Sequence, residues 1–154
     1  MIVKVKRLNE SAVVPQKAHA SDAGFDLVAT SVSFDGNGNV VYGTGLAFEI
    51  PEGHVGLIFP RSSNAKKDLL LSNSVGVIDS GYRGEVLMKF KAGMFFHNGK
   101  NVSVKNNIFG CEVYSVGERI GQMIVVPYPN VEFVEADELS ETERGVGGYG
   151  STGK

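Results

Sequence analysis

Short stretches in which apolar and polar residues alternate dominate this chain. Ile2–Lys6, Leu46–Ile50, Val55–Phe59, Glu85–Phe90, Asn101–Val104, Met123–Val126 and Val131–Glu135 carry the two-residue period of a half-buried strand. Turn-forming clusters separate them: Asp35-Gly-Asn-Gly-Asn, Pro51-Glu-Gly, Asp79-Ser-Gly, Asn98-Gly and Pro127-Tyr-Pro-Asn. Many short strands punctuated in this way predict an all-β sandwich, jelly roll or distorted barrel. A turn or two of helix fits only within Ser62–Leu70, and neither an internal repeat nor a domain linker interrupts the pattern.

Composition narrows this further. The chain has 154 residues, 42% hydrophobic and 21% charged, the balance of one soluble globular domain. Its 20 glycines are nearly twice the usual share, which implies many tight turns and disfavours long helices. No apolar run reaches the roughly 18 residues of a membrane span, and Met1–Glu10 is too charged for a signal peptide. The single cysteine, Cys111, excludes an internal disulfide and a cysteine-cluster metal site. A net charge of −2 gives no basic field for stable nucleic-acid binding. The expected location is the cytoplasm, or the host-cell cytoplasm for a viral or phage protein.

The final stretch differs from the rest. Arg144-Gly-Val-Gly-Gly-Tyr-Gly-Ser-Thr-Gly-Lys154 offers little to bury beyond Val146 and Tyr149, so it is expected to be a mobile arm. Gly148–Lys154 fits the spacing G-x-x-x-x-G-K, but no helix follows, so a true phosphate loop is rejected. Its amides, hydroxyls and Arg144 could still wrap a polyphosphate held by other elements. Arg61, Arg83, Arg119 and Arg144 all lie near glycine or serine in turn-like segments. Small residues admit a ligand close to the backbone, and guanidinium forks match phosphate oxygens in pairs.

Gly76-Val-Ile-Asp-Ser-Gly-Tyr-Arg-Gly-Glu85 is the most informative segment. Two apolar residues, an aspartate, a Ser-Gly turn and a further strand predict a hairpin with the Asp79 carboxylate at its mouth. Asp79 is either a turn former bonded to its own backbone or a general base for a water molecule. Asp26, in Ala23-Gly-Phe-Asp-Leu, reads as a strand-end aspartate satisfied by nearby amides or as a site residue. His19, His54 and His97 lack metal-ligand spacing, and no nucleophile elbow is present.

In order, five segments resemble the motifs of the trimeric dUTP pyrophosphatases (dUTPases). They are Ala23-Gly-Phe-Asp-Leu27, Pro60-Arg-Ser-Ser63, Asn73 through Glu85, Gly117-Glu-Arg-Ile-Gly-Gln-Met123, and Arg144 through Gly153. The resemblance spans about Val3 to Gly153 and implies a jelly-roll-like β barrel assembled as a homotrimer with exchanged C-terminal arms. Residues 1–143 would form the barrel, with a longer insertion at 91–114, and 144–154 an arm closing a neighbouring active site. The first, second and fourth motifs would come from one chain, the third from a second and the fifth from the last.

The implied reaction is hydrolysis of dUTP to dUMP and pyrophosphate, which keeps uracil out of DNA and supplies dUMP for dTMP synthesis. The resemblance assigns uracil to Asn73, Gly76, Val77, Ile78 and Leu87, and the deoxyribose to Tyr82. Asp79 would activate the water that attacks the α-phosphorus. Arg61, Ser62, Ser63 and Gln122 would hold the α- and β-phosphates. Arg144, Gly150, Ser151 and Thr152 would close on the γ-phosphate, with Tyr149 over the uracil and Arg144 acting as an arginine finger. Mg2+ would ride on the triphosphate without a direct protein ligand, Asp26 reaching it through water.

Some residues depart from the family pattern. Phe25 replaces a tyrosine, and Ser63-Asn64 stands where Gly-Leu is common. The 91–114 insertion is a candidate contact for a protein partner, which would make the chain a nucleotide-responsive regulator as well. The related dCTP deaminases share the barrel and the Arg-Ser-Ser sequence, but need a glutamate where this chain has Lys89.

Overall fold

The two-residue periodicity becomes two antiparallel sheets that share one apolar interior. A computed structural model describes residues 1–67, 69–92, 107–108 and 111–148. The strands are β1 (Lys4–Arg7), β2 (Phe25–Val28), β3 (Ser31–Phe34), β4 (Asn39–Gly43), β5 (Leu46–Glu49), β6 (His54–Phe59), β7 (Leu69–Leu71), β8 (Gly76–Ile78), β9 (Leu87–Ala92), β10 (Asn107–Ile108), β11 (Cys111–Glu112) and β12 (Arg119–Pro127). One four-stranded sheet runs β2-β12-β6-β8 and the other β3-β4-β9-β7; β1 pairs with β5, and β10 with β11. The helical content among the described residues is a single 3-10 segment, Ser62–Lys66, inside the window predicted for it. This nearly all-β, jelly-roll-like barrel is the predicted fold class. Among the described residues no helix is long and apolar enough to cross a membrane.

Leu27, Ile58 and Ile120 from the first sheet meet Tyr42, Met88 and Phe90 from the second in one buried cluster. Each such side chain contributes about 1.5–3 kcal/mol on burial. The sheets interlock where Met88 of β9 packs against Gly121 of β12; a Cβ on Gly121 would overlap the Met88 side chain and stand 3.0 Å from the Phe59 carbonyl oxygen. The β2–β12 register shifts between Arg119 and Gly121, so this close approach coincides with a bulge.

Three expectations change. The segment from Gly76 to Glu85 does not join two paired strands: β8 pairs with β6 in one sheet, while β9 pairs with β4 and β7 in the other. It is a crossover between sheets, because Gly76 and Val86 are buried on opposite layers and the turn must bridge them. Second, Val131–Glu135 forms no strand despite its alternation, and every residue from Pro127 to Val146 is exposed. Third, β4 was not predicted at all. It is the central partner of β3 and β9 and buries both faces, so its sequence lacks alternation. The Asn101–Val104 strand and the Asn98-Gly turn lie outside the described residues, as does most of the 91–114 insertion. Its ends belong to the barrel: Lys91 and Ala92 complete β9, and Val113 and Tyr114 are buried.

Candidate active site

The crossover from β8 to β9 leaves a cleft of about 200 Å³ between the two sheets, lined by Val77, Ile78, Asp79, Tyr82, Glu85, Val86 and Leu87. Val77, Tyr82 and Leu87 are exposed apolar side chains in its wall. A planar, partly apolar ligand with a polar edge suits such a wall. Asp79 follows β8 at the rim, and its carbonyl accepts from the Tyr82 N–H at 3.0 Å to make the following turn. Tyr82 folds back over Gly84, where a Cβ would overlap its phenol, and its hydroxyl donates to the Glu85 carbonyl at 3.0 Å. Asn73 sits beside Gly76 through a turn that puts Ser74 at φ 61°, a left-handed conformation unusual for serine. Five of the residues assigned to nucleoside recognition or water activation (Val77, Ile78, Asp79, Tyr82 and Leu87) thus share one cleft, and Gly76, with Asn73 beside it, immediately precedes them in β8.

Sequence reasoning gave no role to Glu85 and Val86, which also line this cleft. The Glu85 carboxylate accepts from the Gly45 N–H at 2.7 Å, and Thr44 Oγ1 donates to the Val86 carbonyl at 2.8 Å. Together they pin the crossover to the β4–β5 turn, where Gly45 has φ 66°. The only sequence signal for this was the carboxylate closing a glycine-rich turn.

A second group is built around Asp26. Arg61 Nε donates to Asp26 Oδ1 at 2.7 Å and Arg119 donates to Oδ2 at 3.0 Å. The Asp26 side chain is only 17% exposed, so these two guanidinium groups compensate a largely buried charge. Arg119, expected only as one of four arginines suited to phosphate, is thus engaged with a carboxylate. Gln122 lies opposite Asp26 on β12, packs against Gly24, and donates from Nε2 to the Pro60 carbonyl at 3.2 Å. Arg61 also donates to Ser63 Oγ at 3.3 Å. The first, second and fourth motifs are therefore knit together within one chain: Gly24 and Asp26, Pro60 to Ser63, Arg119 and Gln122.

Arg144 stands apart from both groups. Its Nε donates to the Gly147 carbonyl at 2.9 Å within the exposed tail. Tyr149, Gly150, Ser151 and Thr152 lie outside the described residues. Lys89 reaches Asp35 Oδ2 at 3.3 Å on the exposed face of β9.

Mg2+ finds no cluster of three or more acidic, histidine or cysteine side chains among the described residues. The fit to the Asp26 group is of another kind. Each carboxylate oxygen is engaged once, by a guanidinium, and keeps a lone pair suited to accept from a metal-bound water.

Comparison with known proteins agrees with these motifs. The dUTPase family model matches residues 10–153. Deoxyuridine 5'-triphosphate nucleotidohydrolase of Nautilia profundicola is 39% identical over 156 residues, covering 100% of both chains. Among solved structures, Staphylococcus bacteriophage 80alpha dUTPase with dUPNHPP matches with a TM-score of 0.82 and 30% identity over 99% of each chain. A variant of the dUTPase from phage phi11 of S. aureus, whose structure details coordination of a structural Mg(II) ion, matches with a TM-score of 0.75 and 27% identity, covering 90% of this chain and 98% of that one. With its motifs in order and its whole length matched, this chain belongs to the dUTPase family.

Proposed function

We propose that the β8–β9 cleft receives the deoxyuridine of dUTP and that Asp79 activates the attacking water at its rim. The reaction itself is that of the family: the chain hydrolyses dUTP to dUMP. Water adds to the α-phosphorus, its proton passes to the Asp79 carboxylate, and the bond to the β-phosphate oxygen breaks to release pyrophosphate. The observation that carries this reading is the placement of a carboxylate beside exposed Val77, Tyr82 and Leu87 in one nucleoside-sized cleft.

Uracil would meet backbone groups of Gly76, Val77 and Ile78 and the side chains of Asn73 and Leu87. Polar groups matched to its edge would be left unpaired by cytosine. Tyr82 would lie beneath the sugar and leave no space for a 2′-hydroxyl. The α- and β-phosphates belong to Arg61, Ser62, Ser63 and Gln122, with Arg61 held in place by Asp26. The chemistry supplied by triphosphate-bound Mg2+ is neutralisation of charge on the phosphate oxygens, and Asp26 would accept from its water shell.

The complete site takes three chains. Support comes from two features: motifs one, two and four are tied together in one chain, and the third-motif cleft is built from its own crossover. The exposed segment from Pro127 to Val146, with Phe133 95% exposed, supports an arm that packs on another copy. Residues 144–154 would close over a neighbour's nucleotide, bringing Arg144, Gly150, Ser151 and Thr152 to the γ-phosphate and Tyr149 to the base. Arg144 would then stabilise charge developing in the transition state.

Subunit mixing tests this. Asp79→Asn and a chain lacking residues 144–154 should each form trimers with turnover reduced about 10²-fold or more. Trimers assembled from an equal mixture should regain about a quarter of native activity, since each site needs one intact carboxylate and one intact arm from different chains. Mixed trimers as inactive as their parents would contradict a shared site.

A further inference from the structure

We propose that Tyr114 is a positioning residue for the phosphate-contacting segment Arg61–Asn64, acting through Asn64. This rests on the reading of Arg61 and Ser63 as phosphate contacts. Tyr114 lies where the 91–114 insertion rejoins the barrel, far along the sequence from the segment it touches.

Its ring is fixed on every side. Tyr42 donates from its hydroxyl to the Tyr114 carbonyl at 3.0 Å. The Tyr42 and Phe90 rings pack against it with centroids at 6.1 and 6.0 Å. Lys67 Nζ stands 5.1 Å from the ring centroid and is itself held by Glu112 at 3.0 Å and by the Val113 carbonyl at 3.3 Å. A ring so constrained carries its hydroxyl to a defined point.

That point is the 3-10 segment that follows Arg61. The Tyr114 hydroxyl donates to Asn64 Oδ1 at 3.1 Å, and Asn64 Nδ2 donates in turn to the Leu69 carbonyl at 2.8 Å. The Asn64 N–H donates to the Arg61 carbonyl at 2.9 Å, so the residue that Tyr114 holds also closes the turn. Arg61 donates from its side chain to Ser63 Oγ and, through Nε, to Asp26. A continuous chain of hydrogen bonds thus runs from the rigid aromatic core through Tyr114 and Asn64 to Arg61, and from Arg61 to Asp26 and Ser63. Burial pushes the Tyr114 phenol up from its ordinary pKa, against the opposing pull of Ser63 and Arg61, so it stays a neutral donor.

The chemistry of Asn64 gives this network its logic: its carboxamide accepts from the phenol on one side and donates to a carbonyl on the other, so the turn is held at both ends. When a triphosphate arrives at Arg61 and Ser63, Tyr114 and Asn64 keep the turn from relaxing.

The test compares two ligands that differ only in the phosphates: deoxyuridine and a non-hydrolysable dUTP analogue. Tyr114→Phe should weaken the analogue about 5- to 10-fold and leave deoxyuridine within about twofold. On an Asn64→Ala background the same substitution should have little further effect on the analogue. Asn64→Ala alone should show the same ligand split and serves if Tyr114→Phe fails to fold. Unchanged analogue affinity, or equal loss for both ligands, would overturn the proposal. If Arg61→Ala and Ser63→Ala both leave the analogue unaffected, it is the assignment of this segment to the phosphates that fails, and the proposal falls with it.

Discussion

The carboxamide of Gln122 fills the space that a side chain on Gly24 would take, joining the first motif to the fourth across adjacent strands. Its Nε2 is held by the Pro60 carbonyl at 3.2 Å, so the second motif fixes the same group. Gly24→Ala should displace the flexible end of Gln122 and little else. The expected result is a melting temperature close to native with KM for dUTP raised several-fold, as for Gln122→Ala, and no additivity in the double variant. Steady-state kinetics and thermal melts on the three proteins check this.

Gly84 does for Tyr82 what Gly24 does for Gln122. A Cβ there would overlap the Tyr82 phenol, which is tied to the Glu85 carbonyl at 3.0 Å. Gly84→Ala should therefore open the floor beneath the sugar. Discrimination between dUTP and UTP, read as the ratio of kcat/KM values, should fall about 10-fold or more, while exclusion of dCTP is retained. A proportional loss on all substrates would mean that Tyr82 supports the crossover rather than the sugar choice.

Much of the barrel is legible in the sequence, and the failures have physical causes. β6 and β9 bury alternate residues, and their alternation is visible. β4 is covered on both faces, and its Asn39-Val-Val-Tyr-Gly43 reads as a featureless apolar run behind a turn. The pattern at Val131–Glu135 is that of a strand, but periodicity says which face wants burial and not which chain supplies the cover. Gly76–Glu85 reads correctly as strand, turn and strand; sequence proximity suggested that the strands pair, whereas burial sends them to different sheets. Asp79, Tyr82, Arg61 and Gln122 stand out because they lie in recognisable motifs. Arg119 and Glu85 lie in motifs as well, but their contacts with Asp26 and Gly45, like that of Tyr114 with Asn64, were not legible, since each depends on a partner remote in sequence.

Tyr42 links stability to alkaline pH. Burial raises its phenol to about 12, with the hydrogen bond to the Tyr114 carbonyl acting in the opposite direction. An ordinary tyrosine titrates near 10. A folded-state pKa above the unfolded one means that the folded chain holds the proton longer. The stabilisation is whole below about pH 10 and is lost as pH rises through about 12. Urea midpoints measured from pH 8.5 upward should fall more steeply for the native chain than for Tyr42→Phe, the latter starting lower by about 1 kcal/mol for the lost hydrogen bond. Parallel curves would place the alkaline transition elsewhere.

The most direct measurement is pyrophosphate release by the intact protein across dUTP, dTTP, dCTP and UTP in the presence of Mg2+, with ammonia followed in parallel. The account expects dUTP to be consumed with one pyrophosphate and one dUMP formed per turnover, the other three nucleotides to be turned over poorly, and no ammonia to appear. Comparable hydrolysis of dTTP or UTP would contradict the assignment of base and sugar choice to the β8–β9 cleft, and ammonia from dCTP would contradict the reaction itself.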